Sequence, residues 1–137
     1  MKLLMIYVKK FSFTPTIKTL EGFEDHTESK TYENALVGFI QAEEHDTEKE
    51  ILKVEKNLTK NLKWGARKNE CNFIVLHSFA HLSESKASPE FTKEIFDLAE
   101  KRLQNADYKT SQTPFGYFLD LDIQAPGFSQ ARMFKSF

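Results

Sequence analysis

A single cysteine, Cys71, leaves no partner for an internal disulfide and suits a reducing, cytoplasmic setting. The five glycines lie far apart, so neither a P-loop nor a dinucleotide-binding fingerprint is present. No Gly-x-Ser-x-Gly elbow exists to present a serine nucleophile. No apolar run approaches the ~20 residues that span a bilayer. The opening Met1–Val8 stretch is followed by Lys9-Lys10 instead of a small-residue cleavage site, so it reads as a first strand rather than a signal peptide, and no membrane partner is expected. Arginine is confined to Arg67, Arg102 and Arg132, and the formal net charge is −1. That balance argues against a broad, nonspecific nucleic-acid surface while permitting local contact with a nucleic-acid end.

What is present is a globular composition: 40% hydrophobic and 28% charged over 137 residues, enough for one domain, 1–137, with a sizeable core. Thirteen phenylalanines are first of all core material. Phe11 and Phe13 share a face of a second strand spanning Lys9 to Lys18 and ended by Pro15, and residues 21–32 read as a surface loop. Ala35 to Ala42 reads as a buried strand. Thr47-Glu48-Lys49-Glu50 then has the form of a capping box, and Ile51, Val54, Leu58 and Leu62 mark one face of a helix capped by Gly65. Phe73 to Leu76 completes a βαβ unit with a parallel strand pair. Ser88-Pro89 opens a second helix carrying Phe91, Ile95, Leu98, Ala99 and Leu103. Tyr108–Thr110 is a short extended piece, and Tyr117 to Ile123 alternates apolar and acidic residues as a strand with one wet face. The expected fold is α/β: a single domain with a mixed sheet and two main helices. The apolar C-terminal residues Phe128, Met133, Phe134 and Phe137 are expected to dock in the core or on a second copy.

Few residues can carry chemistry. His77-x-x-x-His81 has helical metal-pair spacing but leaves a strand, and neither Cys71 nor Asp46 completes a ligand set, so no metal is expected. No cofactor is expected either. Cys71 enters a buried strand and reads as a core thiol rather than a nucleophile. Ser83 and Ser85 near His81 are ordinary loop serines. His81 is the best single candidate, because a crevice at strand ends is where open α/β sheets bind ligands. Gly116, between Phe115 and Tyr117, marks a bulge or a close approach of backbone to ligand.

The order Phe79-Ala80-His81-Leu82-Ser83, then Ser88-Pro89, then Pro114-Phe115-Gly116-Tyr117 resembles the archaeal-type editing domain of threonyl-tRNA synthetase. That family shares the fold of the D-aminoacyl-tRNA deacylases, and the likeness runs over most of the chain. The resemblance implies hydrolysis of serine mistakenly attached to threonine tRNA. A synthetic site gains only ~1–3 kcal/mol from one methyl group, so a second site must clear the error. It implies that the 2′-hydroxyl of the terminal adenosine assists a water in attacking the ester. Ala42 would line the pocket, Phe79 and Ala80 would present backbone, His81 would face the site, and Phe115, Gly116 and Tyr117 would form the opposite wall. It also implies a tRNA acceptor end and a second copy of the chain as partners, with a synthetase as a further one if the domain is not freestanding.

The departures from the family are specific. Its aromatic hydroxyl and its lysine, which helps select serine and place the water, are replaced by Phe118 and Leu119. Its cysteine and glutamate near the pocket correspond to Ala125 and Arg132, and its Lys-Gly-His reads Pro126-Gly127-Phe128. The expectation is therefore an editing-type domain with its catalytic side chains partly lost. The alternative is a non-catalytic module on the same fold that binds a tRNA end or a small ligand.

Overall fold

The computed structural model describes residues 1–137. Its organising element is a 17-residue strand, β1 (Lys2–Lys18). There follow β2 (Lys30–Gln41), a 3-10 turn at Glu44–Glu48, α1 (Ile51–Lys68), β3 (Phe73–Ser78) and α2 (Pro89–Asn105). The chain ends with β4 (Lys109–Gln112), β5 (Tyr117–Gln124) and β6 (Arg132–Ser136). The strands form one sheet in the order β4-β3-β2-β1-β5, with β6 also paired to β1. β2, β3 and β4 are parallel neighbours joined through the two helices, as the βαβ reading expects. β1 runs antiparallel to its neighbours: one edge follows β2, while the other takes β6 along Lys2–Ile6 and β5 along Lys10–Lys18.

Both helices cover one face of the sheet. α1 contributes Val54, Leu58, Leu62 and Ala66 at intervals of four, and α2 contributes Ile95, Phe96, Ala99 and Leu103. They close over Leu3, Met5, Leu36, Ile40, Ile74 and Leu76. Each fully buried side chain of this size stabilises the fold by ~1.5–3 kcal/mol. The opposite face gathers Val8, Phe11, Phe13, Tyr32, Val37, Phe39 and Val75. Residues 8 and 11, or 32 and 35, share this cluster only because the inward alternation changes phase in both strands. Asn34, at φ +50°, sits at that change. Asparagine tolerates the left-handed region better than most residues.

Three local expectations are corrected. Lys9–Lys18 is not a second strand but the continuation of β1, and Pro15 does not end it. Beyond Phe13 β1 has parted from β2, and its register with β5 shifts between Pro15 and Ile17, so the missing proline N–H leaves no gap in a two-sided ladder. Gly65 lies inside α1 rather than at its end. A Cβ there would stand 2.7 Å from Met5 Sδ and 3.1 Å from Leu36 Cδ2, so the glycine serves the close approach of helix to sheet. The Thr47–Glu50 box does not form. Glu50 occupies the cap position without a side-chain bond, and reciprocal capping occurs earlier, between Glu43 and Asp46. Ser88, by contrast, caps α2 as expected, accepting from the Phe91 N–H at 3.2 Å with Pro89 at the first helical position. Phe137 and Met133 dock against the helix-side core, whereas Phe134 and Phe128 stay exposed.

Candidate functional site

β2 and β3 end side by side, and the strap of residues 79–88 crosses over their C-terminal ends. Its ends are pinned to β2: the Phe79 N–H donates to Ile40 O and the Ala87 N–H to Ala42 O, each at 3.0 Å. Between these, one side chain holds the strap. Gln41 Oε1 accepts from the Leu82 and Ser83 N–H groups at 2.7 and 2.8 Å, and its Nε2 donates to Ser83 O and Ser85 O at 2.8 and 2.9 Å. Gln41 is only 3% exposed, so each of these bonds replaces one to water. Below it, Ser83 Oγ donates to Glu43 Oε2 at 2.7 Å. Burial opposes ionisation of Glu43, yet hydrogen bonds from the Met1 ammonium, Ser83 and His45 outweigh it and hold its pKa down at about 2.

The second segment closes the crevice from the other side. Gly116 adopts φ +81°, and its carbonyl accepts from the Thr19 and Leu20 N–H groups at 2.7 and 3.3 Å. A Cβ there would lie 3.0 Å from Leu20 Cβ, so both space and conformation call for glycine. Phe115 is buried edge-to-face against Phe23 and Phe96. The Tyr117 hydroxyl accepts from the His26 N–H at 3.0 Å.

Strap, strand ends and turn enclose a cavity of about 450 Å³. That is the size of a small-molecule site. Ala42, Phe79, Ala80 and His81 border it on one side, and Phe115, Gly116 and Tyr117 on the other. Phe118 and Leu119 also line it, and Leu119 packs against the apolar cluster beneath. Ala125 and Arg132 do not line it; Arg132 lies at the start of β6 and donates Nη1 to Pro126 O at 2.9 Å. His81 is exposed at the rim with its ring against Phe79. The lining includes no aspartate or glutamate, and Lys86 is its one lysine.

Gln41, His77 and Lys86 are among the lining residues that sequence reasoning missed. Gln41 and His77 each end an apolar strand run, a polar side chain where the pattern stops, and Lys86 looks like any loop lysine. His77 Nδ1 lies 2.8 Å from Thr113 Oγ1, and burial holds the ring's pKa down at about 4. His77 and His81 both line the cavity and both pack against Phe79, His77 buried and His81 exposed. Glu43, His45 and Asp46 do place ligand atoms within 4.8 Å of one another, but the Met1 ammonium sits among them, 2.7 Å from Glu43 and 2.9 Å from Asp46. Burial raises the pKa of the Cys71 thiol, and its Sγ lies 3.3 Å from the Asn34 and Phe73 carbonyl oxygens, an inert setting.

Comparison with known proteins settles the family. The model of the archaea-specific editing domain of threonyl-tRNA synthetase matches residues 1–137. The chain belongs to this family. Among similar curated proteins are the threonine–tRNA ligases of Staphylothermus marinus, 33% identical over 140 residues and 99% of this chain, and of Hyperthermus butylicus, 28% identical over 145 residues and its whole length. This editing-domain chain spans only about a fifth of those ligases, 22% and 23% of their lengths. In structure it superposes on a protein titled c-Myc DNA unwinding element binding protein with a TM-score of 0.67, covering 99% of this chain and 98% of that one at 14% identity. The editing domain's fold is thus of the D-aminoacyl-tRNA deacylase type, as the sequence resemblance led us to expect. No helix of the domain is long and apolar enough to cross a membrane.

Proposed function

We propose that the domain takes the aminoacylated end of a tRNA into this cavity and hydrolyses a mischarged ester, with seryl-tRNA of the threonine type as its first substrate. The observation that carries this reading is the convergence of residues 79–81 and 114–117, far apart in sequence, on one cavity at the strand ends of a tRNA-synthetase editing domain. In the reaction, water attacks the acyl carbon and the bond to the ribose 3′-oxygen breaks. The water's proton passes to that oxygen beside the neighbouring 2′-hydroxyl. Backbone groups of Phe79 and Ala80 hold the acyl end, and His81 flanks it at the rim. None of these groups depends on the side chains lost at Phe118 and Leu119. The test is deacylation of seryl-tRNA: a shortened ester half-life is expected, and an unchanged one sinks the reading.

A second reading keeps the binding and drops the chemistry. It is favoured by Leu119, an apolar side chain on the lining that cannot orient water as an ammonium group does. The paired change Leu119→Lys with Phe118→Tyr separates the two: a rise in turnover is expected if an impaired editing site is being repaired. Salt-sensitive tRNA binding with no hydrolysis by either protein favours the binding module.

The proposal includes two partners beyond tRNA. The remainder of a synthetase is one, given how little of the relatives' length the chain spans. A second copy is the other, supported by Phe118, Leu121 and Ile123 exposed along β5. A monomer in light scattering at high concentration counts against the second copy.

A further inference from the structure

Three buried polar side chains reach the cavity lining: Gln41, Thr92 and His77. Gln41 has both of its amide atoms engaged by the strap, and the Thr92 hydroxyl donates to Ser88 O at 3.0 Å. His77 differs. Its Nδ1 pairs with Thr113 Oγ1, but its Nε2 has no partner in the protein. That nitrogen is not sealed in the core either, since the one sealed and unpaired side-chain atom of the chain is Asn69 Oδ1. It opens on the cavity that His77 lines.

The direction of the Thr113 bond sets what Nε2 offers. The buried Thr113 hydroxyl has one proton and no acceptor other than His77 Nδ1. If that hydroxyl donates, Nδ1 is unprotonated, and a neutral ring carries its proton on Nε2. Burial keeps the ring neutral at physiological pH. Phe11, Phe39 and Phe79 surround it, with ring centroids 5.8, 4.9 and 5.9 Å away. A donor in so apolar a setting strongly favours a ligand that brings an acceptor, and penalises one that displaces its water with nothing in return. His77 is 5% exposed while His81 and Lys86 stand exposed at the rim, so it lies deeper in the cavity than either of them.

The geometry points to His77 as the specificity residue of the cavity, its Nε2–H donating a hydrogen bond to a hydroxyl on the side chain of the bound aminoacyl group. This rests on the editing reading above. Thr113 is the positioning residue that fixes the ring and its tautomer. A hydroxylated side chain satisfies the donor, and an alanyl group of nearly the same size leaves it unpaired.

The test compares seryl and alanyl esters on the same threonine tRNA, using the whole chain and the double variant His77→Phe with Thr113→Val. The variant removes both polar partners together and keeps their approximate shapes, and circular dichroism checks its fold. The wild type is expected to clear the seryl ester roughly tenfold faster or more, and the variant to bring the two rates within about twofold. A variant that folds and keeps the preference, or a wild type that shows none, overturns the inference. A second arm needs no hydrolysis and no variant. Seryl and alanyl amides of 3′-amino-3′-deoxyadenosine are added to labelled wild-type protein, and the His77 Nε2–H resonance is followed. Movement with the seryl amide alone supports the inference; equal movement with both, or none, overturns it. Selective movement without hydrolysis of either ester removes the deacylase reading alone, while equal hydrolysis of both esters removes the His77 inference alone. If neither amide binds, both fall.

Discussion

Acidification acts on His77 through its burial. In the unfolded chain it protonates near 6.5, and in the folded protein only near 4, so between those values the unfolded state holds the extra proton. Stability attributable to this residue is therefore full above about 6.5 and declines as pH falls towards 4, by roughly 3 kcal/mol in all. Chemical denaturation at a series of pH values is expected to show that slope in the wild type and its loss in His77→Phe. At Gly116, alanine meets both a positive φ and the Leu20 side chain. Gly116→Ala is expected to lower stability by about 1–3 kcal/mol and to disturb the cavity wall, both measurable by melting and by ligand affinity. The two phenylalanine-bearing segments were legible in the sequence because their small residues and order are local. The role of His77 was not, because what makes it special, a threonine 36 residues away and an aromatic surround, exists only after folding.

A strap of ten residues is held over the cavity chiefly by one side chain. Gln41→Ala removes four hydrogen bonds from a buried site, and the expected loss is roughly 2–4 kcal/mol. Hydrogen exchange locates the effect: the Leu82 and Ser83 amides should lose protection while those of α1 keep theirs. The apolar periodicities of α1 and α2 made both helices evident, as did the Ser88-Pro89 start. Their limits and those of β1 were harder to place. Gly65 resembles a helix stop until Met5 and Leu36 are known to lie against it. Pro15 resembles a strand stop until β1 is known to have parted from β2 by then. In each case a residue with a strong local habit is reused where a distant neighbour removes the usual penalty.

For the molecule as a whole, a second acid-sensitive point lies behind the strap. Glu43 titrates near 2 when folded instead of near 4.5, so its contribution is present above 4.5 and is lost as pH falls towards 2. Together with His77 it predicts a two-stage acid decline, the first stage ending near 4 and the second near 2. Glu43→Gln should abolish the second stage alone in acid titrations followed by circular dichroism. The pairing of β1 has another consequence. Its outer edge is closed by β6 and β5, whose residues lie between 117 and 136, while its inner edge is matched by β2 much earlier. A polypeptide emerging from the ribosome can form the β1–β2 hairpin and both helices long before it can cover that outer edge. Until the last strands are made, seventeen residues of extended backbone stand ready to pair with any other emerging strand. Crowded expression is thus the condition under which this domain is most exposed to self-association, and slowing initiation is the remedy its topology suggests.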